Sequence, residues 1–379
     1  MNSPLRLLVT TSDLVGRGSE REIANLLAWL PRDRFKISLC LWRDVFEYSC
    51  PADVPVTILD KTEPWHIIRT IDRLARHIDK EKPDVVFSQL NYVNTATGFS
   101  LIRARHRPAW IPRFAGNPQV EIRWPVLPWT RQSLKRATRV AGCSPSVAGS
   151  ISKHLFVPTN KTISLPNVVD GNAIEQASLN SCPVDRPADK KVIVTVGGLV
   201  DQKNHFLLID AFADLQRPDA ELWIVGKGNG LDVERRRAAQ RGIATQVRWL
   251  GFQSNPHVIV RAADLFVLSS RYEGLPNALL EAMIIGTPVV STDCPFGPAD
   301  LIEPGQTGWL VPVQDRSSLS AAMKEAIDHP AEARRRAELA RDRIGKRFHS
   351  PKVVEEYATC FESLSPRDEL TMSARRPAG

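Results

Sequence analysis

Lys191-Val-Ile-Val-Thr-Val196 is a short β-branched run that follows a polar, proline-bearing stretch and opens a series of its own kind. Residues 221–225, 247–250, 265–268 and 288–291 repeat the pattern, each followed by a segment with helical spacing. Short apolar runs alternating with amphipathic helices are the sequence form of βαβ units and parallel sheets. Toward the N-terminus, residues 6–11, 36–42, 56–59, 84–88, 110–114 and 139–141 form an earlier series of the same type. Helical stretches lie between them, as over 20–30, where Ile23, Leu26, Leu27 and Leu30 make one apolar face. The two series are separated by polar residues, with Pro183 and Pro187 inside the stretch and Pro166 just before it. That break reads as a linker.

The fold class expected is therefore α/β, with two Rossmann-like doubly wound domains over 1–170 and 191–348 joined by a linker over 171–190. Open parallel sheets bind ligands beyond the carboxyl ends of their strands, so a cleft between two facing domains is the expected ligand site. A charged helix is expected over 330–348. An amphipathic one lies within 349–365, expected to pack back on the N-terminal domain, and 366–379 reads as a disordered tail.

A length of 379 residues agrees with more than one domain. The six cysteines, Cys40, Cys50, Cys143, Cys182, Cys294 and Cys360, form no CxxC pair and read as reduced packing residues of a cytoplasmic protein. The apolar run 5–11 is too brief for a signal segment, and no other stretch approaches a membrane-spanning length, so a soluble or peripheral protein is expected. Net charge is +8 and uneven: Arg103, Arg105, Arg107, Arg113, Arg123, Arg131, Lys135, Arg136 and Arg139 stand against one acid, Glu121. Trp110, Phe114, Trp124 and Trp129 are interleaved with them, and Trp124-Pro-Val-Leu-Pro-Trp129 has the make-up of a wedge at a headgroup boundary. Peripheral contact with an anionic membrane, at the inner face of the cytoplasmic membrane, is one expectation. A solvated basic face over core tryptophans is the other.

The strongest chemical signal is Ser270-Arg-Tyr-Glu-Gly-Leu-Pro-Asn-Ala-Leu-Leu-Glu-Ala-Met283, a loop running into a helix. Pro276 suits the first helical turn, which sets the N–H groups of Gly274 and Leu275 just before a helix N-terminus, where a phosphate or a polarised hydroxyl is attracted. Glu273 and Glu281 can accept hydrogen bonds from a hexose and a ribose respectively. A capped surface helix with incidental acids would show the same residues.

Here the chain resembles the retaining nucleotide-sugar glycosyltransferases of family 4, which have two Rossmann-like domains in the GT-B architecture. The pair Glu273 and Glu281 matches that family's element, as do Val196-Gly-Gly-Leu-Val-Asp-Gln-Lys-Asn204, Ile224-Val-Gly-Lys-Gly228, Trp249-Leu-Gly-Phe252, Ser291-Thr-Asp-Cys-Pro-Phe-Gly-Pro298 and Gly305-Gln-Thr-Gly308. Ser144 and Leu165-Pro-Asn-Val-Val-Asp170 match the segment leading into the linker. The resemblance is dense in the second half and thin in the first.

It implies that Lys203 neutralises the donor diphosphate, with the Gly197-Gly198 turn and Gly226 letting backbone approach it. It implies further that Glu273 positions the hexose, that Glu281 holds the ribose, and that Gly251 and Phe252 lie by the base. No cofactor is implied beyond the nucleoside diphosphate sugar itself. The sequence contains no Asp-x-Asp pair, which argues against a metal-bridged donor.

Two departures from the family stand out. Gly198 replaces the arginine usual after the first glycine of the turn, and Arg17, in Gly16-Arg-Gly18, occupies a position where relatives have glycine. Arg17 is the candidate to supply the missing cation. Gly16-x-Gly18 alone also suggests a dinucleotide site, but Arg21 stands where the third glycine would be. In the first domain many relatives carry a histidine where this chain reads Arg113-Phe-Ala-Gly-Asn117. Asn117 can orient an acceptor hydroxyl and cannot take its proton. His66, His205 and His257 read as surface or packing residues.

The expectation is a retaining, metal-independent hexosyltransferase using a UDP- or GDP-sugar and a saccharide or lipid-linked acceptor. The rivals are a catalytically silent relative and a basic nucleic-acid binder, the latter without any recognised nucleic-acid motif.

Overall fold

The computed structural model describes residues 3–15, 18–61 and 63–364. They divide into two compact units, one holding the chain up to Val169 and again from Ser350, the other Asp170–His349. Gly16, Arg17 and the tail 366–379 lie outside the described residues.

The first unit begins β1 (Leu5–Thr11), α1 (Gly18–Trp29), β2 (Phe35–Leu41), β3 (Val56–Ile58) and α2 (Ile67–Glu81). It continues with β4 (Val85–Gln89), α3 (Asn91–Arg103), β5 (Ala109–Phe114), α4 (Pro118–Glu121), α5 (Leu127–Leu134), β6 (Val140–Gly142), α6 (Pro145–Leu155) and β7 (Thr162–Ser164). All pairings are parallel, in the order β3-β2-β1-β4-β5-β6-β7. Helices cover both faces of such a sheet, so its central strands carry apolar residues almost without alternation. In β4 every residue is buried.

The second unit comprises α7 (Gly171–Ser178), β8 (Lys191–Val196), α8 (His205–Asp214), β9 (Ala220–Val225), α9 (Leu231–Gln240), β10 (Val247–Gly251) and α10 (His257–Ala262). After these come β11 (Leu265–Leu268), α11 (Asn277–Ile285), β12 (Val289–Thr292), α12 (Pro298–Leu301), β13 (Trp309–Val311), α13 (Arg316–Asp328) and α14 (Pro330–Arg347). Its sheet is parallel too, ordered β10-β9-β8-β11-β12-β13. The last described helix, α15 (Ser350–Glu362), belongs to the first unit. Val353, Val354, Tyr357, Ala358 and Phe361 enter its core beside Leu7, Val9 and Phe87.

Three sequence expectations need correction. Residues 171–190 are not all linker, because α7 occupies their first part, capped by Asp170, whose Oδ1 accepts from Ala173 N at 2.9 Å. Ile174 and Ser178 are its only buried residues, too little apolar periodicity to announce a helix. The edge strands β7 and β13, three residues each, went unread. Arg113 is no part of a basic surface: it is fully buried in β5.

Candidate functional site

Strand order reverses direction of growth in the second unit between β8 and β11, the topological switch point where doubly wound sheets take ligands. The loops leaving these two neighbouring strands are laced together. Arg271 N donates to Gln202 O at 2.8 Å, Gln202 Nε2 to Tyr272 O at 3.0 Å, and Ser269 Oγ to Lys203 O at 2.8 Å. Residues 70 positions apart are thereby brought into contact: Lys203 Nζ lies 2.6 Å from Glu273 Oε1. Ser270 Oγ donates to the same oxygen at 2.6 Å. The Glu273 side chain is 7% exposed and that of Lys203 19%. A carboxylate so enclosed needs this pairing, and the ammonium remains at the rim.

A third loop completes the arrangement. Glu273 N donates to Pro295 O at 3.2 Å, and Thr292 Oγ1 to Ser270 O at 2.7 Å. Gly297, at φ +93, is required there, because a Cβ would meet Pro276 Cδ at 2.6 Å and Gly274 O at 2.7 Å. Pro276 itself stands at the cap of α11 and not in its first turn, as the sequence suggested, and Leu275 is buried. Cys294 shares this loop, but burial, reinforced by Glu273, pushes its thiol up to about 12, which leaves it no nucleophile at neutral pH.

The glycine positions form a second contact zone. Gly197 N donates to Val225 O at 2.9 Å, Gly226 N to Gly251 O at 2.8 Å, and Leu199 N to Lys227 O at 3.1 Å. Gly226, at φ +149, cannot be replaced, since a Cβ would lie 1.8 Å from Gly197 O. Gly198 differs: an added Cβ would meet nothing nearer than Lys227 O at 3.7 Å, so no close backbone approach requires glycine there. Phe252, 61% exposed after β10, has the Lys227 ammonium 4.8 Å from its ring centre.

Glu281 lies on α11 with its side chain 8% exposed, and His257 Nε2 is 3.1 Å from its Oε2. His257 is thus neither a surface residue nor plain packing, which corrects the sequence reading. A lone histidine at the start of a short helix carries no signal of its partner 24 positions on. His205 is buried against Glu234, as packing would have it.

The first unit has its own switch point between β1 and β4. A cavity of about 390 Å³ opens there, lined by residues that follow β1, β2, β4 and β5, among them Asp13, Glu20, Arg43, Asn91, Tyr92 and Glu121. Arg43 Nε donates to Asp13 at 3.0 Å. Gly18 opens α1. Asn117 is 1% exposed and its Oδ1 caps α4, accepting from Gln119 N at 2.9 Å, so this oxygen is committed to the backbone.

Behind the cavity strands, Arg113 joins Glu22 at 2.6 Å, Gln89 at 2.9 Å, Asn167 at 2.6 Å and Leu165 O at 3.0 Å. Tyr357 OH reaches the other Glu22 oxygen at 2.9 Å. Sequence reasoning counted Arg113 among surface cations because charge counts ignore burial. Of the aromatics interleaved there, Trp110 and Phe114 are core, whereas Trp124 is 82% and Trp129 61% exposed. No helix among the described residues is long and apolar enough to cross a membrane.

Comparison with known proteins gives concordant results. The sequence profile described as Glycosyl transferases group 1 matches residues 182–343, and that described as Glycosyltransferase Family 4 matches 16–172. The chain is 31% identical over 191 residues to the lipopolysaccharide core biosynthesis glycosyltransferase LpsE of Rhizobium meliloti, covering 50% of this chain and 54% of that protein. The match thus spans about half of that relative's length. It is 30% identical to the N-acetylgalactosamine-N,N'-diacetylbacillosaminyl-diphospho-undecaprenol 4-alpha-N-acetylgalactosaminyltransferase of Campylobacter jejuni, covering 82% of this chain and 87% of that one.

Among solved structures, Anabaena HepE in complex with UDP and glucose superposes with a TM-score of 0.78 at 17% identity, over 95% of this chain and 100% of the other. The lipopolysaccharide outer core galactosyltransferase WaaB, in its apo form, gives 0.76 at 18%, over 94% and 99%. At such identities the likeness speaks for fold. Two doubly wound parallel sheets with these neighbours make the architecture GT-B.

Proposed function

The chain belongs to the family 4 glycosyltransferases, the glycosyl transferases group 1, and from that membership we propose a retaining enzyme that moves a hexose or hexosamine from a nucleoside diphosphate to a saccharide acceptor. The observation that carries this reading is the contact of Lys203 with Glu273 at 2.6 Å at the switch point of the second sheet. A lysine there can neutralise charge building on a departing diphosphate, a task a divalent metal performs in sites that hold one. Glu273 orients the hexose hydroxyls and Glu281 the ribose; Phe252 and Gly251 lie by the base. The donor series favoured is UDP, since HepE is described with UDP and glucose.

In this reading the bond from the anomeric carbon to the phosphate oxygen breaks, and the acceptor oxygen bonds to the same face. The acceptor's proton passes to the departing phosphate oxygen. No side-chain base is needed, in keeping with Asn117 serving as a helix cap. The relative from Campylobacter is named for an alpha-transfer, the outcome retention gives from an α-linked donor.

For the acceptor we propose a lipid-linked or cell-envelope saccharide, following the names of the relatives, taken up at the cavity of the first unit. Trp124 and Trp129, exposed among Arg123, Arg131 and Lys135, suit peripheral contact with an anionic leaflet on the cytoplasmic side.

A thermal-shift screen against UDP, GDP, ADP and their sugar conjugates, with and without chelator, tests the donor site. Stabilisation by one series, unaffected by chelator and reduced in Glu281→Ala, is expected. No shift with any nucleotide would leave a silent binding subunit as the better description.

A further inference from the structure

We infer that His257 is a positioning residue for the donor nucleotide, holding the Glu281 carboxylate in the orientation that receives the ribose. The inference rests on the reading of Glu281 given above. A carboxylate whose side chain is 8% exposed must be met by hydrogen-bond donors, and His257 Nε2 at 3.1 Å from Oε2 is one. His257 Nδ1 is buried with no hydrogen-bond partner among the described residues. The tautomer with its proton on Nε2 therefore donates to Glu281 and leaves only an acceptor unmatched, the cheaper of the two orphans.

The backbone around the pair is fixed at both ends. Thr287 Oγ1, just past α11, donates to Val260 O in α10 at 3.0 Å, tying the two helices where they end. At the other end Asn255 Nδ2 donates to Ala177 O in α7 at 2.8 Å, and Gln253 Nε2 to Leu250 O at 2.7 Å. The segment from Gly251 to His257 thus links the exposed Phe252 ring to the carboxylate on α11. Through it, the base side and the ribose side of the nucleotide site are placed by one short stretch of chain.

An imidazole that only filled space would be replaceable by an apolar ring, whereas a donor would be replaceable by an amide that presents N–H at the Nε2 position. The test measures dissociation constants of UDP and GDP, and of their 2′,3′-dideoxy forms, in the intact protein and in His257→Phe, His257→Gln and Glu281→Ala, with Tm recorded for each. His257→Phe is expected to weaken the preferred nucleotide about tenfold, the size of one lost charge-assisted hydrogen bond. The dideoxy form should barely change, and kcat at saturating donor should stay within about twofold, because ribose binding is common to ground and transition states. His257→Gln should restore most of the affinity. In the double variant His257→Phe with Glu281→Ala, the loss should not exceed that of Glu281→Ala alone.

Normal affinity in His257→Phe, or a loss in His257→Gln equal to that in His257→Phe, overturns the inference while Glu281→Ala still binds weakly. Unchanged affinity in Glu281→Ala instead overturns the ribose reading itself, and the inference with it.

Discussion

Lys203 and Glu273 were legible as single residues because each stands in a dense local motif. Their contact was not, since 70 positions separate them and only the pairing of β8 with β11 brings the loops together. Arg113 failed in the opposite way. Its neighbours are basic, yet β5 is an interior parallel strand whose residues are covered from both faces, and the guanidinium is matched by Glu22. His257 was missed because its partner lies on another helix. At this scale the ion pair itself makes a prediction. Lys203→Ala should lower kcat by about 10²–10³-fold, the range for removing one group that stabilises developing charge, with a smaller change in acceptor KM. Steady-state rates at saturating donor, compared with nucleotide affinity by calorimetry, check it; an unchanged kcat would remove Lys203 from the chemistry.

Helices and central strands were legible to within one or two residues wherever apolar periodicity was strong, as in α1 and β8. The elements that escaped, α7, β7 and β13, are short or at a sheet edge and bury too few side chains to impose a pattern. Caps lie below the reach of periodicity but are plain in the structure. Asp315 at the start of α13 accepts from Ser318 Oγ at 2.6 Å, Ser318 N at 3.0 Å and Ser317 Oγ at 2.7 Å. Those bonds, led by the Ser318 hydroxyl, hold its carboxyl down at about 2. A lowered folded-state value means that the stabilisation is complete above the unfolded value of about 4 and is lost as pH falls through about 2. Asp315→Asn keeps an acceptor but cannot titrate, so its deficit against the parent should shrink over that window. Urea midpoints across the acid range measure this, and a deficit constant with pH would deny the charge any part in the cap.

At the scale of the whole molecule, both sheets share the core order 3-2-1-4, and each has its polar constellation at the strand ends where that order turns. The alternating pattern made this duplication readable, while the polar lining of the first unit's cavity, gathered from four separate strand ends, was not. Phe361 shows how strongly α15 belongs to the first unit: its ring meets Phe35 at 6.1 Å and Phe87 at 5.5 Å. Phe361→Ala should destabilise that unit by about 3–5 kcal/mol. Hydrogen exchange should then quicken in β1 and β4 and remain slow in β8 and β11, whereas uniform quickening would mean that the two units open together.

The same helix bears on how the protein is made. The ribosome releases residues 170–349, a whole unit in one uninterrupted run, before Ser350–Glu362 emerges. The seven strands of the first sheet are therefore made first, but the core they share with α15 is completed last, against the usual order in which the N-terminal unit finishes folding first. Until translation reaches Phe361, the rings of Phe35 and Phe87 lack the cover that it and Tyr357 will give them.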